Sequence, residues 1–559
     1  MTLKRQILIA TLSLGIFLVS PSRIQAATYY VSRTGNNSNG LSWSTAWSEL
    51  NQIDWSVVNP GDTIELDGGR TSCQYPVTVT ETSNNPLPTG CGQIYTTPLS
   101  IAKSGTNGSP ITVRLSRESG HNGTARIYGG RVAPLPYCGN NNYSWQTTGV
   151  QVAGIKVDGQ SYVTVDGTKW AGIMIYGHNR NGIYVQHKNY LNQHHLTFKN
   201  MEIFDNGTGS GGKPNQEGVY ANGSDFTFEK LLVHDNGQDA FQTCHIGIFN
   251  NITIKNSWLY NQRPHPNKPN DTFNECTHSD GVQYCSEGTS SGLTVENSII
   301  GPGFMNGFIL GYFGQDRNSK INNVIVRNSL LVSHHGDSAN SGLIVPSFSY
   351  SSNNLPEGYQ LDHVTIVRDI NTCVETGQPA GKCLSAVWED ISLHGSGHSI
   401  TNSLFYGGTS IDVTGNPLAS NNYNWRVADS ANIATEANPL FKDIGFDGVQ
   451  GDPTSPDTKY ADFDFTITNP DIPFGVGSSI TSVASLIGDN PIPQSSNSTP
   501  LPTSKPGDIN GDGKVDIIDV GIAIDNYGKS NLIYGEADIN HDGVINVIDI
   551  GIITDNYTH

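Results

Sequence analysis

The chain has 559 residues, of which 36% are hydrophobic, 14% charged and 62 are glycine, a composition that excludes a collagen and a coiled coil. The apolar fraction supports a sizeable core, and the length suits two to four domains. Thirty-one Lys and Arg against 50 Asp and Glu give a net charge of −19, which argues against nucleic acid and anionic lipid as partners and suits an exported or cation-collecting protein.

Lys4 and Arg5 precede an apolar run from Ile7 to Ser20 and a small-residue end at Ala26-Ala27. This is the layout of a secretory signal peptide over residues 1–26, with cleavage expected after Ala26. No later stretch is long and apolar enough to span a bilayer, so the mature chain is expected to be secreted, extracellular or cell-surface associated. Eight cysteines follow: Cys73, Cys91, Cys138, Cys244, Cys276, Cys285, Cys373 and Cys383. An even number in an exported chain points to disulfides. Cys73/Cys91, Cys276/Cys285 and Cys373/Cys383 are near neighbours, which leaves Cys138/Cys244, but the connectivity stays open.

From residue 27 to 487 the chain reads as short runs of Val, Ile, Thr and Phe broken by Gly and Asn, with hardly any helical period. The runs repeat. Leu196 to Ile203, Ile252 to Leu259, Leu293 to Ile300, Val324 to Leu331 and Ser399 to Phe405 each hold a strand, an Asn corner (Asn200, Asn256, Asn297, Asn328, Asn402) and a second strand. Altered corners at Lys230 and His363 fill the gaps, so that corners recur every 26 to 41 residues. That is one coil of a solenoid plus a variable loop, with Asn at the corner because it tolerates the left-handed conformation and its amide can bond the next coil.

A second register runs through Asn181-Gly-Ile-Tyr184, Glu217-Gly-Val-Tyr220, Asp239-Ala-Phe-Gln242, Asp280-Gly-Val-Gln283, Asn306-Gly-Phe-Ile309 and Ser341-Gly-Leu-Ile344. Equivalent corners would stack Glu217, Asp239 and Asp280 on successive coils, about 4.8 Å apart. Such a column must hold a cation or share protons. His278 precedes Asp280 and His234-Asp235 precedes Asp239, placing imidazoles near the same face as candidate acid or base. Gln242 and Gln283 are candidate substrate ligands. Trp258, Tyr260, Tyr312 and Phe313 are candidate sugar-stacking rings, although strand aromatics are more often interior.

These repeats, together with Ser104-Gly-Thr-Asn-Gly-Ser-Pro-Ile-Thr-Val-Arg114, resemble the right-handed parallel β-helix, pectate-lyase-like superfamily over most of residues 27–480. The resemblance implies a mainly β fold with a β-helix domain at 27–487, entered through a capping helix near Ala46 to Ile53 and a first strand at Pro60 to Leu66. For cleavage of a uronan by β-elimination, a basic side chain must take the C5 proton; Arg263, Lys268, Arg317 and Lys320 are the loop candidates, Arg317 as base and Lys268 and Tyr312 as substrate ligands. Hydrolysis instead needs two carboxylates flanking the bond. Ser279-Asp280-Gly281 is similar to the Asn-Thr-Asp-Gly motif of polygalacturonases, without that family's Asp-Asp pair or Gly-His-Gly.

Residues 488–507 are rich in Pro, Ser and Thr, as in an extended linker. Beyond them, Asp508, Asn510, Asp512, Lys514, Asp516 and Asp519 repeat 30 residues later as Asp538, Asn540, Asp542, Val544, Asn546 and Asp549, with Gly513 and Gly543 at the sharp turn. Oxygen side chains at positions 1, 3, 5, 9 and 12, and a carbonyl at 7, wrap six or more oxygens around Ca2+. The tandem loops, ending in Asp rather than Glu and lacking an entering helix, resemble a type I-like dockerin. The resemblance implies a small α-helical domain at 508–559 and a cohesin module on a scaffold or cell surface as partner. Ile517-Ile518, Val547-Ile548, Asp525-Asn526 and Asp555-Asn556 depart from the usual recognition residues, so cohesin choice does not carry over. The sequence thus reads as a secreted enzyme degrading a uronic-acid-containing polysaccharide, as lyase or hydrolase, with a non-catalytic carbohydrate-binding or adhesive β-helix as the alternative.

Overall fold

The computed structural model describes residues 26–70, 92–130, 151–186, 193–207, 217–245, 247–260, 280–286, 288–301, 304, 306–312, 320–333, 345–346, 355–368, 391–407, 410–425, 427–429, 432–443, 463–487, 515, 517–525, 527 and 545–557. The chain divides into two units, Met1–Ile492 and Pro493–His559.

The first unit is a stack of parallel strands. Eight coils each give one strand to an eight-stranded sheet, which runs from Leu99–Ile101 through Ala153–Val157, Asn181–Val185, Val219–Ala221, Phe241–His245, Asp280–Ser286 and Asn306–Tyr312 to Val345–Pro346, and later coils form a three-stranded sheet of Ile391–Leu393, Ser410–Val413 and Ala428–Asp429. The rest of the coil passes into a twenty-stranded sheet that bends at the corners found in the sequence. Asn200, Lys230, Asn256, Asn297, Asn328, His363 and Asn402 all have φ between 42° and 61°, so the altered corners hold the same conformation as the Asn ones. The amide ladder is partial: Asn328 donates to Asn297 at 2.8 Å and Asn421 to Asn402 at 2.9 Å. More continuous is the serine after the Asn. The hydroxyls of Ser257, Ser298 and Ser329 accept the backbone N–H of Leu231, Ser257 and Ser298, one coil before, so each corner N–H is satisfied without water.

The interior is aliphatic and aromatic, from Tyr29 and Val31 through to Ile411 and Val413. Phe228 is fully buried, stacked on Phe198 at 5.5 Å and edge-on to Phe241 at 4.9 Å. Phe228→Ala is expected to cost about 3–5 kcal/mol through the cavity it leaves, read by chemical denaturation; a loss below about 1 kcal/mol would show that the solenoid collapses onto the gap.

Two expectations are corrected at the N-terminal end. The first strand is Thr28–Val31, paired in parallel with Thr63–Leu66. The capping helix at 46–53 is replaced by two 3-10 turns, Trp43–Thr45 and Leu50–Gln52, because Trp47 between them bridges to Val31. Glu49 caps the second turn and also accepts from Thr96 and Thr97.

The twenty-stranded sheet is also apolar outside. Trp258, Ile299, Leu330, Val332, Val367 and Tyr406 are covered by Phe463, Phe465, Val483 and Ile487 from the end of the unit, where Val483–Ile487 is a short helix. Ser479 N–H reaches the Asn328 corner amide at 2.7 Å. Trp258 is fully buried and donates to the Gly301 carbonyl at 2.9 Å, stacked on Tyr260 at 3.7 Å. It is a packing residue, not a sugar platform.

In the second unit the helices Ile517–Asp525 and Val547–Asp555 contribute Ala523 and Ile553 to a small core, which Val515 and Ile545, two residues ahead of each helix, complete. Both helices start inside the loop motifs, two residues before Asp519 and Asp549. No helix among the described residues is long and apolar enough to cross a membrane.

Candidate functional site

The eight-stranded sheet carries the second repeat in register. Asn181 pairs with Ala153, Ile183 with Val219, Phe241 with Val282, and Asp280 with Asn306. Glu217, Asp239 and Asp280 therefore occupy one position on three successive coils. The second residue of the repeat is small, Gly or Ala240, because of what lies inside: a Cβ on Gly218 would sit 2.4 Å from Val233 Cγ1 and 2.8 Å from Asn236 Nδ2. That Asn belongs to a buried ladder in the preceding turns. Asn206 Nδ2 donates to Asn236 Oδ1 at 3.0 Å, and His178 Nδ1 meets Asn206 Oδ1 at 2.8 Å. The repeated Asp-Asn-Gly at 205–207 and 235–237 is the sequence signal for this ladder.

All three carboxylates are fully buried. Asn181 Nδ2 donates to Glu217 Oε2 at 2.5 Å, the Asp280 N–H to Asp239 Oδ1 at 2.8 Å, and Gln242 Nε2 to Asp239 Oδ2 at 3.1 Å. Burial at strand spacing requires compensating positive charge or a shared proton. Among the described residues no three His, Cys, Asp or Glu side chains converge as a metal centre. The column thus lies beneath the surface, and the Gln242 amide bonds both Asp239 and Gln283.

Residues at the fourth position of each repeat face outward, between inward neighbours such as Ile183 and Val185 or Val282 and Tyr284. They form a second column of Tyr184, Tyr220, Gln242 and Gln283, which extends one coil earlier to Lys156 and then Ser100. Tyr184 and Tyr220 stack at 5.6 Å, 16° from parallel. Lys156 was missed. Ala153-Gly-Ile-Lys156 fits the repeat but lacks the polar first residue by which it was traced. Burial draws the Lys156 ammonium below the usual lysine range.

His278, Arg263, Lys268, Arg317 and Phe313 lie outside the described residues, as do Ser341, Cys73, Cys91, Cys138, Cys276, Cys373 and Cys383. The backbone of Tyr312 ends the strand Asn306–Tyr312 opposite Ser286. Cys244 pairs in register with Cys285 on the adjacent coil. Lys320 is on the other sheet, 3.3 Å from Glu357.

His234 is also elsewhere, which corrects the expectation that it joins the column. It faces out from the twenty-stranded sheet between Phe204 at 5.4 Å and Tyr260 at 4.8 Å. Its Nδ1 meets Asp235 at 2.7 Å and its Nε2 meets Glu202 at 3.2 Å. Burial lowers its pKa, but the bonds to Asp235 and Glu202 outweigh that and raise it to about 9. The folded value exceeds the unfolded one, near 6.5. The stabilisation is therefore complete below about pH 6.5 and fades as pH rises through about 9. His234→Gln is expected to flatten the melting-temperature profile between those values; an unchanged slope would contradict the assignment.

In the tail, Asp519 and Asp549 are fully buried in the first turns of their helices, and Asn546 N–H donates to Asp549 Oδ2 at 2.8 Å. Buried carboxylates at position 12 fit a hard, oxygen-seeking cation. Asp508, Asn510, Asp512, Lys514, Asp516, Asp538, Asn540, Asp542 and Val544 lie outside the described residues.

No family model matches the chain, and no curated protein does. Among solved structures it is similar to a pectate lyase, at 15% identity over 61% of this chain and 76% of that one, with a TM-score of 0.37. A rhamnogalacturonan lyase matches at 15% identity over 75% and 91%, TM-score 0.37. An endopolygalacturonase from Stereum purpureum, complexed with two galacturonate, matches at 14% over 56% and 84%, TM-score 0.31.

Proposed function

We propose that this chain is a secreted enzyme that degrades a uronic-acid-containing polysaccharide, by β-elimination or glycosidic hydrolysis, on the outer face of the eight-stranded sheet. The observation that carries the reading is the in-register column Glu217, Asp239 and Asp280, coupled through Gln242 to an outward row of polar and aromatic side chains. Gln242 and Gln283 would bind sugar hydroxyls, held by Asp239 from below. Asp280 with His278, and Arg317, would exchange the proton that either reaction must move. Lys268 and Tyr312 would line the substrate path.

The tail would be a dockerin tethering the enzyme to a cohesin module. Its two loops would each hold one Ca2+, through Asp508, Asn510, Asp512, the Lys514 carbonyl, Asp516 and Asp519, and through Asp538, Asn540, Asp542, the Val544 carbonyl, Asn546 and Asp549. Calcium would supply the charge that lets these acids pack together. Ile517 and Val547, both exposed, offer the apolar contact.

The test is incubation of the full chain with uronic-acid and neutral polysaccharides, following ultraviolet absorbance of unsaturated products and new reducing ends. Both rising together on a uronan identifies a lyase, and ends alone a hydrolase. The sealed carboxylates favour one second reading, a non-catalytic carbohydrate-binding protein. Neither signal on any glycan, with binding retained, would establish it and refute the enzyme.

A further inference from the structure

Resting on that reading, we infer that Lys156, with the Tyr184–Tyr220 stack beside it, forms a subsite that pairs with the carboxylate of a uronate residue. The outward row Ser100, Lys156, Tyr184, Tyr220, Gln242 and Gln283 contains one ionisable group charged at neutral pH, and it is positive. In a chain of net charge −19, the acids of the adjacent column, Glu217, Asp239 and Asp280, are fully buried, which leaves Asp158, exposed two residues beyond Lys156, as the acid beside the row. Tyr220 and Gln242 are buried, whereas Lys156, Tyr184 and Gln283 are half-buried, so a ligand lying along this face meets one ring, one amide and a single cation.

Lys156 makes no hydrogen bond or ion pair among the described residues. Lys199, Lys255, Lys320 and Lys442, by contrast, each sit within 3.7 Å of a carboxylate. A half-buried ammonium without a partner has lost part of its hydration and gained nothing in return, and this is what draws its pKa down. An incoming carboxylate supplies the missing partner through a charge-assisted hydrogen bond. Tyr184 is the next residue in the row, one strand or about 4.8 Å away. It is half-buried and held against Tyr220 at 5.6 Å, so a pyranose ring adjoining the uronate group can rest on a fixed aromatic surface at little entropic cost.

The experiment is calorimetric binding of tetrameric oligogalacturonate, oligomannuronate and oligoglucuronate to the full chain, in the cold to slow turnover, with the methyl ester of each as uncharged control. Lys156→Gln is expected to weaken binding of the preferred acid by about tenfold or more and to leave its ester within about twofold. Lys156→Arg is expected to stay within about threefold of the parent. Matching melting temperatures show that both variants fold. If Lys156→Gln binds the acid as the parent does while degradation continues, the subsite assignment falls and the enzyme reading stands. If the parent binds none of the three acids and degrades nothing, both fall together.

Discussion

Asp239→Asn is expected to reduce glycan turnover by about 100-fold, the scale of a misplaced substrate-positioning group, while leaving the melting temperature unchanged or raised. Asp239 is the middle carboxylate of the column, accepting the Asp280 N–H with one oxygen and Gln242 with the other. Asparagine keeps the shape and one acceptor but removes a charge. An amide in place of a fully buried carboxyl lowers the desolvation cost of the column, so the coil keeps its stability even as the hold on Gln242 is unsettled. Initial rates and thermal unfolding on the same sample separate the two effects. Full activity together with a raised melting temperature would reduce the column to a structural corner.

Withdrawing calcium is expected to unfold the tail and leave the solenoid folded. Segment 508–559 brings acids together in two loops, and its described core is only Val515, Ala523, Ile545 and Ile553 with partly buried Val520 and Ile550, too small to offset that repulsion alone. Calorimetric titration of the calcium-stripped full chain should show two tight sites. Asp519→Asn with Asp549→Asn should weaken each by at least about tenfold, since ligand charge sets affinity in such loops. Any tight site that survives the double substitution belongs to the solenoid. Wild-type binding of no calcium would remove the EF-hand-like reading of the tail.

The corners were legible because a left-handed residue on every coil is a local demand that Asn meets cheaply. Lys230 and His363 show that the stacked neighbours, not the residue type, then enforce it. The column was legible for a related reason: close interior packing keeps Gly or Ala at its second position on coil after coil. The outer cover over Trp258, Leu330 and Val367 was not, since it joins segments more than a hundred residues apart. Its trace was present, however, in strands such as Trp258-Leu259-Tyr260, which are apolar on both faces and so must be buried on both. Burial of the three carboxylates was likewise hidden, because period and spacing place a side chain on a coil without saying what lies over it. His234 misled because four residues separate it from Asp239 while the chain turns from one sheet to the other.

On the proposed function, a uronic-acid glycan is handled on the outer face of the eight-stranded sheet. The most direct measurement is a crystal structure of the Asp239→Asn chain with a tetrasaccharide of the polysaccharide it degrades. Sugar density is expected along Lys156, Tyr184, Gln242 and Gln283, with a carboxylate at the Lys156 ammonium. Density confined to the twenty-stranded sheet, or a bare eight-stranded face in a crystal that binds the sugar elsewhere, would contradict it.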